Sequence, residues 1–145
     1  MRAALAIALC LAACGGAPFL GSWRFQSGEA SVSCDAGASP ATYLLGPVSV
    51  DRGPPGELVA DYVAGCPLAL RVDGETAVLD GDPTCDARLY RGDAGVSPSV
   101  EAVARVESLT LTPNDGQLAL AYRARVEASG ARCTEQANGV LSPAR

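Results

Sequence analysis

Hydrophobic and polar residues alternate with a period of two along most of the chain, as in β-strands with one buried face. The clearest run is residues 117–128. Its predicted inward residues are Leu118, Leu120, Tyr122, Ala124 and Val126. Similar runs, separated by turn signals, are residues 20–26, 29–34, 42–51, 57–63, 66–72, 75–80 and 131–142. We therefore expect an all-β fold, an antiparallel up-and-down meander that closes into a small barrel, with a β-sandwich as the alternative.

Short turn sequences separate several of these runs. Residues 52–56 read Arg-Gly-Pro-Pro-Gly, in which the two prolines cannot donate to a strand ladder. The dipeptide at Asp73 and Gly74 and the tripeptide ending at Gly116 are hairpin signals, because tight hairpins need residues that tolerate a positive φ. The second hairpin leads into the run 117–128.

Residues 97–106 are compatible with two structures. They contain a candidate N-cap, good helix formers and early acidic residues, so a short helix competes with a strand. We favour the strand, because its apolar face continues into Leu109 and Leu111. The phase of that face changes after Val106, and the sequence therefore predicts a β-bulge near Glu107 and Ser108.

The first fourteen residues have a different character. Met1 and Arg2 precede an apolar stretch of about a dozen residues that ends in small residues, as in a secretory signal peptide. The stretch is too short to cross a bilayer core of about 30 Å as a helix. We expect it to be cleaved, and the protein to leave the cytoplasm.

The sequence Leu-Ala-Ala-Cys ending at Cys14 resembles the lipobox of bacterial lipoproteins. In that family the cysteine is diacylated on sulfur, cleaved on its N-terminal side and acylated on the new amine, with palmitate-type chains. The resemblance implies lipid attachment at Cys14, and Gly15 at the next position implies the outer membrane. Several acyl chains give stable anchoring. The resulting division is signal peptide 1–13, lipidated tether 14–19 and β-barrel domain 20–145.

Composition and charge exclude several classes of chemistry. The chain has 145 residues, 48% of them hydrophobic and 19% charged, which fits one globular domain. It contains no His, and all eleven basic residues are Arg. Imidazole bases, imidazole metal ligands and lysine nucleophiles are therefore absent. The formal net charge of −5 argues against a nucleic-acid partner. We expect no enzyme activity and no cofactor.

Four cysteines follow the signal segment: Cys34, Cys66, Cys85 and Cys133. An even number in an exported chain predicts two disulfides, with three connectivities. In an up-and-down meander all four fall at one end. Cys66 and Cys85 then flank adjacent strands, and Cys34 meets Cys133 if the last strand closes on the first, so we favour these two pairs. A zinc site is disfavoured because the set lacks a Cys-x₂-Cys pair.

The tripeptide from Gly21 to Trp23 resembles the Gly-x-Trp signature of lipocalins, in which the Trp plugs one barrel end. This resemblance implies a buried Trp23, and we place it near the cysteine end. Residues 21–141 also resemble a loose group of small uncharacterised lipoproteins of high-GC Gram-negative bacteria, through this tripeptide, the Gly-Asp-Pro-Thr-Cys element at 81–85 and a final cysteine strand. That resemblance implies a fold and no activity.

The expected function is that of a membrane-anchored envelope lipoprotein with a non-catalytic binding or structural role. Its partner would be the membrane, through Cys14, together with a small apolar ligand or an envelope protein. The alternative is a protein-interaction lipoprotein resembling the lysozyme inhibitors, although their Ser and Lys elements are missing. Asp80, Asp82 and Asp86 carry oxygens suited to Ca²⁺, but we interpret them as turn residues and expect no metal site.

Overall fold

The fold is all-β in the computed structural model, which describes residues 16–35, 46–63, 66–90, 99–128 and 130–145. These residues contain no helix, and so none that is long and apolar enough to cross a membrane. The strands are β1 (Gly21–Cys34), β2 (Val48–Arg52), β3 (Glu57–Val63), β4 (Cys66–Asp73), β5 (Thr76–Leu79), β6 (Thr84–Tyr90), β7 (Ser99–Asn114), β8 (Gln117–Ala128) and β9 (Ala131–Pro143).

The strands form an antiparallel meander whose hydrogen bonding closes into a ring. Their order in the sheet is β5-β4-β3-β2-β1-β9-β8-β7-β6, and β5 also pairs with β7. Strands β5 and β6 therefore lie one after the other along the same edge of β7. The last strand pairs with the first over nearly the whole of β1. The predicted meander is confirmed.

One face of each strand points into the ring and is apolar. All five predicted inward residues of β8 are buried, and the residues between them are exposed. On β9 the predicted inward residues Cys133, Ala137 and Leu141 are buried as well. Full burial of a Leu or Val side chain contributes about 1.5–3 kcal/mol relative to exposure. This shared apolar interior therefore fixes which face of every strand points inward.

β1 corrects the sequence interpretation of the first strands. Residues 20–26 and 29–34 were predicted as two strands joined by a turn, and they form one strand. Both halves pair with β9, from Phe25 opposite Leu141 to Cys34 opposite Cys133. Gln26 is accommodated by a bulge, where the register shifts between Phe25 and Ser27. A continuous partner strand thus overrides the local turn signal.

β7 is a strand throughout its described length, as favoured over the helix. Its register against β8 shifts between Val106 and Ser108, which confirms the predicted bulge. The bulge lets both Val106 and Leu109 point into the core, where each is no more than 1% exposed. Pairing with β6 on one side and β8 on the other satisfies its backbone groups and outweighs the helix signals.

Both predicted hairpins are present, and the turn of one of them is shifted by one residue. Asn114 pairs with Gln117, and the two residues between them both have positive φ. In the other hairpin Asp73 pairs with Thr76, so the turn residues are 74 and 75 and not 73 and 74. The prediction missed β6, whose alternation is short. Of the predicted strand 42–51, β2 contains the C-terminal part, and residues 42–45 lie outside the described residues.

Two disulfides cross-link the ring, and they join the predicted pairs. Cys34 is bonded to Cys133, its direct neighbour across β1 and β9. Cys66 of β4 is bonded to Cys85 of β6. In the described part of the chain β4 and β6 share no ladder, so this second disulfide bridges the ring where the sheet pairing passes from β5 to β6. Each of the four sulfurs is bonded to one other sulfur, so none of them is a thiolate that could bind a metal ion.

Candidate functional site

Trp23 closes one end of the ring. Its side chain is 6% exposed, and its indole Nε1 donates a hydrogen bond of 2.8 Å to the carbonyl oxygen of Phe19. The expected burial is confirmed, but the expected position near the cysteines is wrong. Trp23 and Cys34 lie near opposite ends of one strand, which at about 3.3 Å per residue separates them by roughly 35 Å. The error follows from dividing β1 into two strands.

Three aromatic side chains meet in the interior, and we call Phe25, Tyr62 and Tyr122 the inner aromatic cluster. The Phe25 and Tyr62 ring centroids are 6.2 Å apart, and those of Tyr62 and Tyr122 are 5.0 Å apart in an edge-to-face arrangement. Such a pair contributes about 0.5–1.5 kcal/mol beyond its buried area. Tyr122 is buried, whereas Phe25 and Tyr62 are partly exposed. The cluster therefore presents aromatic surface that is not completely covered.

Glu135 adds a carboxyl group to this apolar interior. It occupies an inward position of β9, between Cys133 and Ala137 in the alternation, and it lies opposite Val32 on one side and Ala124 on the other. Burial raises the pKa of the Glu135 carboxyl above its ordinary value of 4.5. The side chain retains partial exposure.

Tyr62 and Glu135 interact electrostatically across the interior. Burial, and to a smaller extent the negative charge of Glu135, raise the pKa of Tyr62 to about 12. The phenol is therefore neutral at physiological pH and available as a hydrogen-bond donor. The sequence analysis did not single out either residue. The alternation of β9 contained the signal, because Glu135 is in phase with Cys133 and Ala137.

β1 has two described partner strands, which cover different lengths of it. β2 pairs with only three residues of β1, Gly21 to Trp23, at the Trp23 end. Among the described residues, the half of β1 that includes Ala30 and Cys34 has a ladder with β9 alone.

A separate depression of about 630 Å³ lies on the outer surface of the ring. It is open to solvent and crosses β7, β8, β9 and β1. Its walls are formed mainly by small residues, and they include Thr110, Thr112, Ala119, Ala121 and Asn138. No aromatic residue is among those that line it.

Charged side chains on the outer surface pair with each other. Glu107 accepts from Arg123 at 3.0 Å and from Arg125 at 2.6 Å. Asp82 accepts from Arg105 Nε at 2.8 Å, and this hydrogen bond lowers the pKa of Asp82. The described part of the chain contains no group of three or more His, Cys, Asp or Glu residues that could hold a metal ion.

Comparisons with protein-family models, curated proteins and solved structures found no match. Cys14 and the rest of the lipobox lie outside the described residues. A functional assignment therefore depends on the interior geometry, the disulfides and the N-terminal sequence.

Proposed function

We propose that the protein is a lipid-anchored envelope protein, attached through Cys14, whose ring of strands is a non-catalytic binding module for a small, largely apolar molecule. The observation that carries the binding role is the inner aromatic cluster, which combines partly exposed rings with a few polar groups inside a closed sheet. Ligand sites of soluble proteins have this composition, with apolar walls and a small number of polar groups that orient the ligand.

Two further observations support a position outside the cytoplasm and next to a membrane. Disulfides persist in oxidising compartments, and this chain has two. Gly16 packs against Leu58, since a Cβ at position 16 would lie 2.9 Å from Leu58 Cδ2. Cys14 is two residues earlier, which allows a reach of about 7 Å. A lipid on Cys14 would thus hold the Trp23 end of the ring against the headgroups.

Metabolic labelling with an alkynyl fatty acid tests the anchor. The wild-type chain and Cys10→Ser should incorporate the label and fractionate with membranes. Cys14→Ser should incorporate none and leave the membrane fraction. The Cys10→Ser control removes the other cysteine of the signal segment. Label retained on Cys14→Ser would contradict the anchor.

Binding of 1-hexanol, a neutral six-carbon probe, tests the binding module. Calorimetric titration of the purified protein, with a detergent blank, should give a saturable signal. Tyr62→Ala should weaken it about fivefold, because losing one aromatic contact costs about 1 kcal/mol. Val103→Ala is the matched control, since Val103 is 46% exposed on the outer surface. Equal loss of hexanol affinity in both variants would contradict an interior site.

A protein-interaction lipoprotein is the second candidate, and the outer depression favours it. Its residues come from four adjacent strands and form an open surface that a partner protein could contact. An assay of lysozyme activity in the presence of the protein tests this candidate. Inhibition that Ala121→Arg abolishes and Tyr62→Ala leaves unchanged would assign function to the outer surface and not to the interior.

A further inference from the structure

We propose that the interior site selects an organic cation, a molecule with an ammonium group on an apolar body, with Glu135 as its counter-ion and the inner aromatic cluster as its apolar wall. This inference rests on the proposed binding role and names the chemical class of the ligand.

Glu135 places a carboxyl group among apolar side chains. The side chain lies on an inward face whose neighbours across the strands, Val32 and Ala124, are buried and apolar. Arg71, Arg105, Arg123 and Arg125 form ion pairs with other carboxylates, and none of these pairs includes Glu135. The chain has no Lys or His that could supply a positive charge. A partly desolvated carboxylate without a cation is costly, and a cationic ligand would offset that cost.

The rings of the inner aromatic cluster are inclined to each other. The Tyr62 and Tyr122 ring planes meet at 73°, and the Phe25 and Tyr62 planes at 56°. The cluster thus combines ring faces of different orientation beside one carboxylate. An ammonium group is attracted to the faces of aromatic rings, by about 0.5–2 kcal/mol for each contact, and most strongly where water is excluded. Glu135 lies opposite Ala124, which is two residues from Tyr122 on the same inward face of β8, and the Tyr122 ring packs against Tyr62.

This arrangement disfavours anionic and neutral ligands relative to cations. An anion would be repelled by Glu135 in a region of low dielectric constant. A neutral ligand can contact the rings but leaves the carboxylate without a partner. A cation of the same size makes the same apolar contacts and adds a charge interaction, so selectivity for the cation follows from the difference. Glu135 and Tyr62 are both partly exposed, so a small cation has access to them.

Three probes with the same six-carbon chain test this selectivity: hexyltrimethylammonium, 1-hexanol and hexyl sulfate. Calorimetric titration of the full chain in nonionic detergent, with a detergent blank, should show the cation binding at least about tenfold more tightly than the alcohol, equivalent to about 1.4 kcal/mol. Hexyl sulfate should bind more weakly than the alcohol.

Variants assign the preference to the carboxylate. Glu135→Gln should reduce the ratio of cation affinity to alcohol affinity to about one and retain measurable alcohol binding, which also shows that this variant is folded. Glu127→Gln is the matched control, because Glu127 is an exposed carboxyl on the outer face of β8, and it should retain the ratio. Tyr62→Phe should retain it too, since the ring remains.

The outcomes separate this inference from the proposed function. Equal affinity for the cation and the alcohol, or a cation preference that survives Glu135→Gln, would overturn the inference and leave the binding role intact. Failure of all three probes to bind would overturn both.

Discussion

The ring of Phe25 occupies the space beside Gly139 in which a Cβ atom would otherwise lie. A Cβ built on Gly139 would be 2.6 Å from Phe25 Cδ1 and 2.6 Å from the carbonyl oxygen of Ser27. Both contacts arise at the bulge of β1, which brings Phe25 and Ser27 against β9. The bulge on β1 therefore requires a glycine at position 139 of β9. Together they set the position of the Phe25 ring in the inner aromatic cluster.

Replacing this glycine should destabilise the protein. Gly139→Ala should lower the free energy of unfolding by about 1–3 kcal/mol, because the backbone oxygen of Ser27 cannot move aside without shifting the strand. Gly46→Ala is the control, since a Cβ at Gly46 meets no atom within 4 Å, and it should change stability little. Urea denaturation measures both. Equal stability of the two variants would show that β1 can rearrange.

The two disulfides should differ in their contribution to stability. They close loops with sequence separations of 19 and 99 residues. Chain-entropy estimates give about 3 kcal/mol for the shorter loop and about 4.7 kcal/mol for the longer one. The double variant Cys34→Ser, Cys133→Ser should thus lose more stability than Cys66→Ser, Cys85→Ser. Peptide mapping without reduction checks the pairing, and a peptide joining Cys34 to Cys66 would contradict it.

Glu135 should make stability depend on pH. Because its pKa is raised in the folded state, its contribution is complete below 4.5, its ordinary value, and is lost as the pH rises through the folded-state pKa. Glu135→Gln has no ionisable group at this position, so it does not lose this contribution to stability as the pH rises. The variant should therefore become more stable relative to wild type between pH 4 and pH 7, without added ligand. Denaturation of both proteins at several pH values measures the difference, and a constant difference would show that Glu135 is well solvated.

Tyr62 should ionise at a pH well above the ordinary pKa of a tyrosine. Its pKa of about 12 exceeds its ordinary value of 10.0, so the neutral phenol stabilises the fold at pH 10 and this contribution is lost as the pH rises through 12. Absorbance at the wavelength of tyrosinate should show a late step that Tyr62→Phe removes. Complete ionisation of all tyrosines near pH 10 in the folded protein would contradict burial of Tyr62.

Trp23 should report the integrity of the ring end. It is the single Trp of the chain, and burial with a hydrogen bond to Phe19 predicts blue-shifted emission with little quenching by iodide. Urea should shift the emission to the red and allow quenching. Strong quenching in the folded protein would place the indole in solvent.

The sequence predicted the strands in which apolar and polar residues alternate over a long stretch. It failed where pairing with a strand distant in sequence determines the structure. The pattern of β8 identifies all of its buried residues except Ala128, and the phase change after Val106 locates the β7 bulge. By contrast, Ser27 and Gly28 are typical of a turn, and only β9 shows that they continue a strand. The wrong end assigned to Trp23 followed from that division.

The candidate site depends on contacts between residues that are distant in sequence. Phe25, Tyr62 and Tyr122 come from three strands, and their meeting requires the ring to close. Glu135 lay in the alternation of β9, yet its significance depends on Tyr62 and on apolar neighbours from other strands. The disulfide pairs were predictable because strand direction places the four cysteines at one end, and closure of the last strand on the first brings Cys34 to Cys133.

Because β1 pairs with β9, the first and last strands of the chain are neighbours in the ring. Pro143 lies opposite Trp23, and the backbone N–H of Ala144 bonds to the carbonyl oxygen of Ser22. A short linker could join these neighbouring segments, and the chain could be opened at the exposed turn after Arg52 with every strand pair retained. Such a circular permutant would have the same ring, disulfides and interior. Its new N- and C-termini would lie at the turn between β2 and β3.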